Sequence, residues 1–311
     1  MKKTVVGRKA RANLLLLLTA LIWGVAFVAQ DVAMESMPPF TFGALRLALA
    51  GLALMPCIAL LNRMGQKRSS ASETERKNLR TMTREERRSL LTAGVCCGIA
   101  LFLGTSFQQL GIQHTSAGKA GFVTTLYIVL VPVAGLFLGK RVRLHVWLAV
   151  LISLAGLFFL CVTEALTIGI GEIYLVVNAL CFTVHILLVD YFAPRTDCLR
   201  MSCIQFLVAA LLCSVAMILL ETPTLAGIRA GIIPILYAGV LSGAVGYTLQ
   251  ILAQCDTDPT VASLLMCLES VFAVLAGWVI LNQALSPREL LGCAGMLIGI
   301  VLAQVPAPRR T

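Results

Sequence analysis

Ten stretches of apolar residues, each roughly twenty long, recur along this 311-residue chain and restrict its fold more than any single motif does. A segment that crosses hydrocarbon has no water to bond its backbone, so it must satisfy its own N–H and C=O groups, which an α-helix does. At 1.5 Å rise per residue, roughly 20 apolar residues span the ~30 Å core. The stretches lie at 13–34, 39–61, 90–110, 117–137, 144–161, 170–191, 201–220, 231–253, 260–281 and 287–305. Composition agrees, with 59% of residues hydrophobic, 13% charged and a mean hydropathy of +0.90. The expected fold is an all-α membrane protein with ten transmembrane helices. The connections are mostly short and carry Pro, Gly, Asn or charge, so function has to reside among the helices.

A formal net charge of +10 would suggest a nucleic-acid partner for a soluble protein. Here the basic residues follow membrane topology instead. Five Lys and Arg precede the first segment, nine lie between the second and third, three at Lys140, Arg141 and Arg143, two at Arg195 and Arg200, and two at Arg309 and Arg310. These 21 of 25 share one side. Lys119, Arg229 and Arg288 occupy the other, and Arg46 lies within the second segment. The positive-inside rule then makes that side cytoplasmic, with both termini on it.

The basic start followed by an apolar run is shared with signal peptides, but no small-x-small pair follows it, so the first segment is expected to be retained. The 11 cysteines are scattered without CxxC spacing or histidine partners and read as small packing residues. No metal or cofactor is expected, and GxxxxGK and HExxH are absent. Energy would come from a gradient or from exchange. Thr83 and Glu86 have capping-box spacing ahead of the third segment.

The two halves resemble one another. "TALIWGVAFVAQD" from Thr19 aligns without gaps on "NALCFTVHILLVD" from Asn178, which pairs segment 1 with segment 6. "TSAGKAGFVTTLYIVLVPVAG" from Thr115 aligns on "TDPTVASLLMCLESVFAVLAG" from Thr257, which pairs segment 4 with segment 9. Five helices per half is an odd number, so the second half enters the membrane from the opposite side and the repeat is inverted. The expected organisation is a cytoplasmic N-terminal segment at 1–12, a first repeat at 13–161 with a charged cytoplasmic loop at 62–89, a second repeat at 170–305, and a cytoplasmic tail at 306–311.

Several of these residues, taken in order, carry a family likeness: Trp23-Gly24 in segment 1, Pro39 with Arg46 in segment 2, "TSAGKAGFVTTLYIVLVP" in segment 4 and "SLLMCLESVFAVLAGWVIL" in segment 9. The chain resembles the drug/metabolite transporter superfamily in its EamA branch, over nearly its whole length. The resemblance implies a ten-helix carrier with a central cavity lined by both halves and alternating access to organic solutes. The sequence departs from the common pattern at Ser270, where a proline usually follows the glutamate, and at Asn282-Gln283, where Gly-Glu is usual. The first departure leaves open whether segment 9 is kinked near Glu269.

Polar side chains at mid-membrane depth have to face protein or water. Glu269 is either a solute contact or proton carrier, or a protonated acid bonding between helices. Arg46 either pairs with Asp31 or takes a solute carboxylate in a bidentate fork. His185, on one face with Asn178 and Phe182, either binds solute or protons or makes one satisfied hydrogen bond. Trp23 and Phe27, with Gln30 following, form a cavity wall or simply pack. Tyr247, Gln250 and Gln254 repeat at i, i+3 and i+7 in segment 8, segment 3 offers Phe107 and Gln109, and segment 4 offers Thr124 and Tyr127. The candidate cavity set is therefore Trp23, Phe27, Arg46, Gln109, Tyr127, His185, Tyr247, Gln250 and Glu269, with no catalytic group. The glycines of "GVLSGAVG" and "GCAGMLIG" read as helix-packing seams.

The function so indicated is secondary transport of a small organic metabolite across the cytoplasmic membrane, an amino acid, related metabolite or amphiphilic solute, with export as the expected direction and proton or exchange coupling. The partners are the solute and membrane lipid, not nucleic acid. The alternative is an integral membrane enzyme or flippase acting on a lipid-linked substrate, but Glu269, His185 and Arg46 are dispersed over three segments rather than gathered at one interface. The orientation has a direct check. On a background without other reactive cysteines, Glu75→Cys should stay unlabelled by an impermeant maleimide in intact cells and label after permeabilisation; labelling in intact cells would reverse the topology.

Overall fold

The computed structural model describes residues 2–67, 82–115, 117–140, 142–162, 169–281 and 286–304. Among them are ten helices long and apolar enough to cross a membrane, here numbered 1 to 10: Gly7–Ser36, Pro39–Leu60, Arg84–Ile112, Ala120–Phe137, Leu144–Cys161, Ile170–Arg195, Cys198–Leu220, Ile232–Gln254, Pro259–Ala276 and Pro287–Gln304. The described residues contain no strand. The middle of the charged loop, the segment 306–311, Arg141 and Asn282-Gln283 lie outside the described residues.

Two of the expected boundaries move. Helix 1 is continuous from Lys2 to Ser36, so the N-terminal basic residues extend the helix rather than form a separate segment. Helix 2 likewise runs on to Lys67, which shortens the charged loop from its first side. Once a helix is nucleated, each further residue adds a bond, and Lys, Arg, Gln and Met are good helix formers. Helix 3 starts where Thr83 and Glu86 close the expected capping box: the Glu86 N–H donates to Thr83 Oγ1 at 3.2 Å and the Thr83 N–H to Glu86 Oε2 at 2.9 Å. Helix 2 starts on a carboxylate from the other half of the chain. Glu221, at the end of helix 7, accepts from the N–H groups of Phe40 and Thr41 at 2.7 Å each, satisfying donors that a helix N-terminus leaves free.

Outer faces are apolar: Leu14, Leu18 and Leu21 recur at helical spacing on helix 1 and are exposed. Inside, one cluster joins helices 1, 4, 5, 9 and 10 around Leu16, Ile128, Leu157 and Met296. A second joins helices 2, 3, 7 and 8 around Leu47, Leu101, Phe206 and Ala244. Trp23 and Phe182 pack against both. Helix 3 lies on helix 6 as helix 8 lies on helix 1; helix 3 lies on helix 7 as helix 8 lies on helix 2; helix 1 meets helix 9 as helix 6 meets helix 4. Exchange of the halves carries each of these contacts into another.

Glycines set the closest approaches. Gly292, Gly295 and Gly299 of helix 10 lie against Gly156, Leu160 and Ser153 of helix 5, and Gly239 and Gly243 of helix 8 against helix 2, which are the two seams read from the sequence. Trp23-Gly24 has a comparable explanation: a Cβ on Gly24 would come 2.7 Å from the carbonyl oxygen of Glu269 and 2.8 Å from the Ala273 nitrogen. One element was not foreseen: Cys198 and Cys255 bring their sulfurs to 3.3 Å at the ends of helices 7 and 8 on the side of the basic loops.

Three helices are irregular. Helix 4 is interrupted at Thr125-Leu126 and helix 9 at Cys267-Leu268, positions that the gap-free alignment of the halves pairs with each other. At each break the bonding shortens to the i−3 carbonyl, from Leu126 to Val123 and Ile128 to Thr125, and from Leu268 to Leu265 and Ser270 to Cys267. Helix 9 therefore breaks beside Glu269 without a proline. Helix 8 winds as a π-helix over Tyr237–Tyr247. Close packing at Gly24 gives a test: Gly24→Ala should destabilise the purified protein by about 1–3 kcal/mol through overpacking, whereas Gly7→Ala, with nothing within 4 Å, should be neutral or stabilising because Ala is the better helix former. Thermal melts of both variants in one detergent check the contrast.

Candidate binding cavity

The irregular stretches meet at one place. A narrow cleft lies between the two clusters, lined by Trp23, Phe27 and Gln30 of helix 1, Arg46 of helix 2, Gln108 of helix 3, Thr124 and Tyr127 of helix 4, Phe182 and Ile186 of helix 6, Ser242, Tyr247 and Gln250 of helix 8, and Met266 and Glu269 of helix 9.

Glu269 stands first after the break in helix 9, and Tyr127 first after the break in helix 4. The Tyr127 hydroxyl donates to Glu269 Oε1 at 2.9 Å, so the paired positions of the two halves bond to each other across the cleft. Thr125 and Ser270 hydroxyls meet beside them at 3.2 Å. Trp23 is held from the other side: its indole N–H donates to the Ser242 carbonyl at 3.1 Å and its ring lies 4.6 Å from that of Tyr247. A π-helix bonds i to i+5, and Ser242 and Tyr247 stand five apart, so the wider winding brings both onto the cleft side. Gly246 gives the Trp23 ring its place, since a Cβ there would lie 2.7 Å from its Nε1.

Arg46 is 6% exposed and Glu269 5%, yet the two form no ion pair with each other. Asp31 is exposed and is not the arginine's partner. Instead, Arg46 Nη1 points at Gln30 Oε1 at 3.5 Å, and the Gln109 amide donates to the same oxygen at 2.9 Å. Phe42 covers the guanidinium at 5.1 Å.

Of the nine residues singled out from sequence, Trp23, Phe27, Arg46, Tyr127, Tyr247, Gln250 and Glu269 line the cleft. Gln109 does not; it stands behind Gln30, and its neighbour Gln108 is the lining residue. Nor does His185, which is fully buried behind Phe182 and Tyr247 with Nε2 at 3.1 Å from Gln205 Oε1, the single-hydrogen-bond alternative. Gln254 bonds the Ile186 carbonyl and accepts from Gln250, and Phe107 pairs with Tyr174. Gln108, Ile186, Ser242 and Met266 were missed. Met266 was accessible through the repeat, because the alignment pairs it with Thr124.

The sequence pattern of the EamA-like transporter family matches residues 10–162 and 169–304. The chain belongs to this family. A protein of Archaeoglobus fulgidus described as an uncharacterized transporter is 26% identical over 300 residues, 96% of this chain and 87% of its own length. Uncharacterized transporter YoaV of Bacillus subtilis is 22% identical over 93% of this chain and 95% of its own. A solved crystal structure superposes with a TM-score of 0.75 over 95% of this chain and 98% of its own, at 19% identity, which bears on the fold alone. The protein is thus a multi-pass membrane transporter.

Proposed function

We propose that the protein is a secondary transporter that carries a small organic metabolite across the cytoplasmic membrane by alternating access, with both termini cytoplasmic and export as its working direction. The observation that carries the reading is the Tyr127–Glu269 bond: it joins alignment-paired positions of the two halves in the wall of the cleft. A solute held there touches both halves at once, so moving the halves about it exposes it to one face and then to the other. The exchange-symmetric helix contacts and the paired breaks support an inverted repeat, in which each half can take the other's conformation.

Alternating access also needs contacts between the halves that open at each face. On the side of the basic loops, Lys140 at the end of helix 4 pairs with Asp190 near the end of helix 6, one residue from each half. Partly exposed pairs contribute about 0.2–1 kcal/mol, enough to bias two access states up to roughly fivefold.

Glu269 is tested by Glu269→Gln, which keeps size and hydrogen-bonding capacity while removing the ability to ionise. Initial flux in proteoliposomes at matched protein levels should fall about tenfold or more and lose its dependence on pH, with melting temperature little changed. Wild-type flux and pH profile in the variant would remove Glu269 from the mechanism. Asp190→Asn tests the closure. With Gln250→Cys as reporter on a background without other reactive cysteines, labelling from the basic face should accelerate up to roughly fivefold; an unchanged rate would show that the pair holds nothing shut.

A further inference from the structure

Among the polar groups of the cleft, Arg46 is the one whose chemistry is least used by the protein itself. Its Nε and Nη2 are buried and have no hydrogen-bond partner. These two nitrogens form one edge of the guanidinium, with N–H bonds that point the same way, and two parallel donors match the two oxygens of a single carboxylate. The third nitrogen, Nη1, is occupied by Gln30, which Gln109 holds in turn. Phe42 packs over the ring plane and offers no acceptor to the edge. The chain therefore fixes the guanidinium from one edge and one face and leaves the side-on fork buried and without a partner, on a residue that lines the cleft.

Charge narrows what the fork takes. Arg46 and Glu269 are the lining residues with a strongly basic and an acidic side chain, one of each, and they are not paired with each other. A buried arginine without a counterion is costly in hydrocarbon. A dianionic phosphate would set its second charge against Glu269, whereas a carboxylate balanced by a protonated nitrogen leaves the cleft neutral. Thr124 Oγ1 and Gln250 Oε1, also buried and unpartnered, offer further polar contacts. Trp23, Phe27, Phe182 and Met266 offer an apolar wall.

We propose that the solute is a zwitterion whose carboxylate docks side-on in the Nε–Nη2 edge of Arg46 while its protonated nitrogen faces Glu269. The assignment rests on the central-cavity transport reading and specifies the solute class for it. The experiment uses matched sets on the full-length protein in detergent: L-phenylalanine, phenethylamine and 3-phenylpropanoate, and L-leucine, 3-methylbutylamine and 4-methylpentanoate. In at least one set the amino acid should raise the melting temperature more than its amine or its acid. Arg46→Gln should weaken that amino acid about tenfold or more and leave the amine unaffected. Arg46→Lys, which keeps the charge but loses the fork, should fall between. If neither variant folds, the wild-type comparison decides alone. The proposal is overturned if the amines match the amino acids, if Arg46→Gln binds the amino acid as tightly as wild type, or if no carboxylate-bearing compound binds. Flux of the same compounds in proteoliposomes separates the two readings: amine flux indifferent to Arg46→Gln would keep the transporter and remove the carboxylate site, whereas binding at Arg46 without flux would do the reverse.

Discussion

Backbone hydrogen bonding in a solvent that offers none is the constraint from which the rest of this architecture follows, because it allows only unbroken helices against lipid. Irregular backbone is tolerated where protein or a polar cavity surrounds it. Helices 4, 8 and 9 depart from α-geometry in this chain, and the departures supply Tyr127, Tyr247 and Glu269 to one cleft. Carbonyls loosened in the π-helical part of helix 8 find side-chain donors: Ser242 accepts from Trp23, and Gly246 from Thr19 at 3.3 Å. The deviations place the cleft-lining groups, and the aromatic wall in turn helps satisfy the backbone.

Packing among membrane helices cannot draw on the hydrophobic effect as a soluble core does, so close contact carries more of the load. Gly24 shows how this reaches the site. Its lack of a side chain lets helix 1 touch the backbone of helix 9 at Glu269, and the neighbouring Trp23 is thereby set into the wall of the same cleft. The dipeptide that marks helix 1 in the sequence thus serves a seam with one residue and a cavity with the other. Likewise, the glycines of helix 10 close the outermost pair with helix 5, away from the cleft, where only packing is at stake.

Features with a strong period or a strong cost were readable from sequence. Apolar runs located the helices because a span has to be continuous and of fixed length, and the boundaries of helix 5 at Leu144–Cys161 coincide with the apolar run. Glu269, Arg46 and Tyr247 were readable as inward-facing because lipid excludes them. Azimuth was harder. Gln108 and Gln109 are adjacent, equally polar and both inward, and only tertiary packing decides that one lines the cleft while the other braces Gln30. His185 failed for a similar reason: depth says that an imidazole has a partner, but not that Gln205 is that partner. The break in helix 4 escaped, and the one in helix 9 stayed open, because no proline or glycine marks Thr125-Leu126 or Cys267-Leu268; Thr125 instead back-bonds to the Gly121 carbonyl at 2.7 Å and meets Ser270 from the other half.

The bare edge of Arg46 bears on how a carrier of this shape couples movement to occupancy. On the alternating access proposed above, closing the cleft over an empty site leaves a guanidinium with no internal counterion out of water, a cost of the kind that makes unpaired charges rare in membranes. Closing it over a solute whose carboxylate fills the Nε–Nη2 edge replaces that water with a charge-assisted pair. The occluded state is then favoured by the differential interaction with solute, which is the only way a ligand shifts a conformational equilibrium. On the same proposed reading, an internal Arg46–Glu269 salt bridge would let the empty carrier close as readily as the loaded one. Holding Glu269 on Tyr127 and Arg46 on Gln30 keeps the two side chains apart, which on the proposed reading leaves both for the solute to bridge.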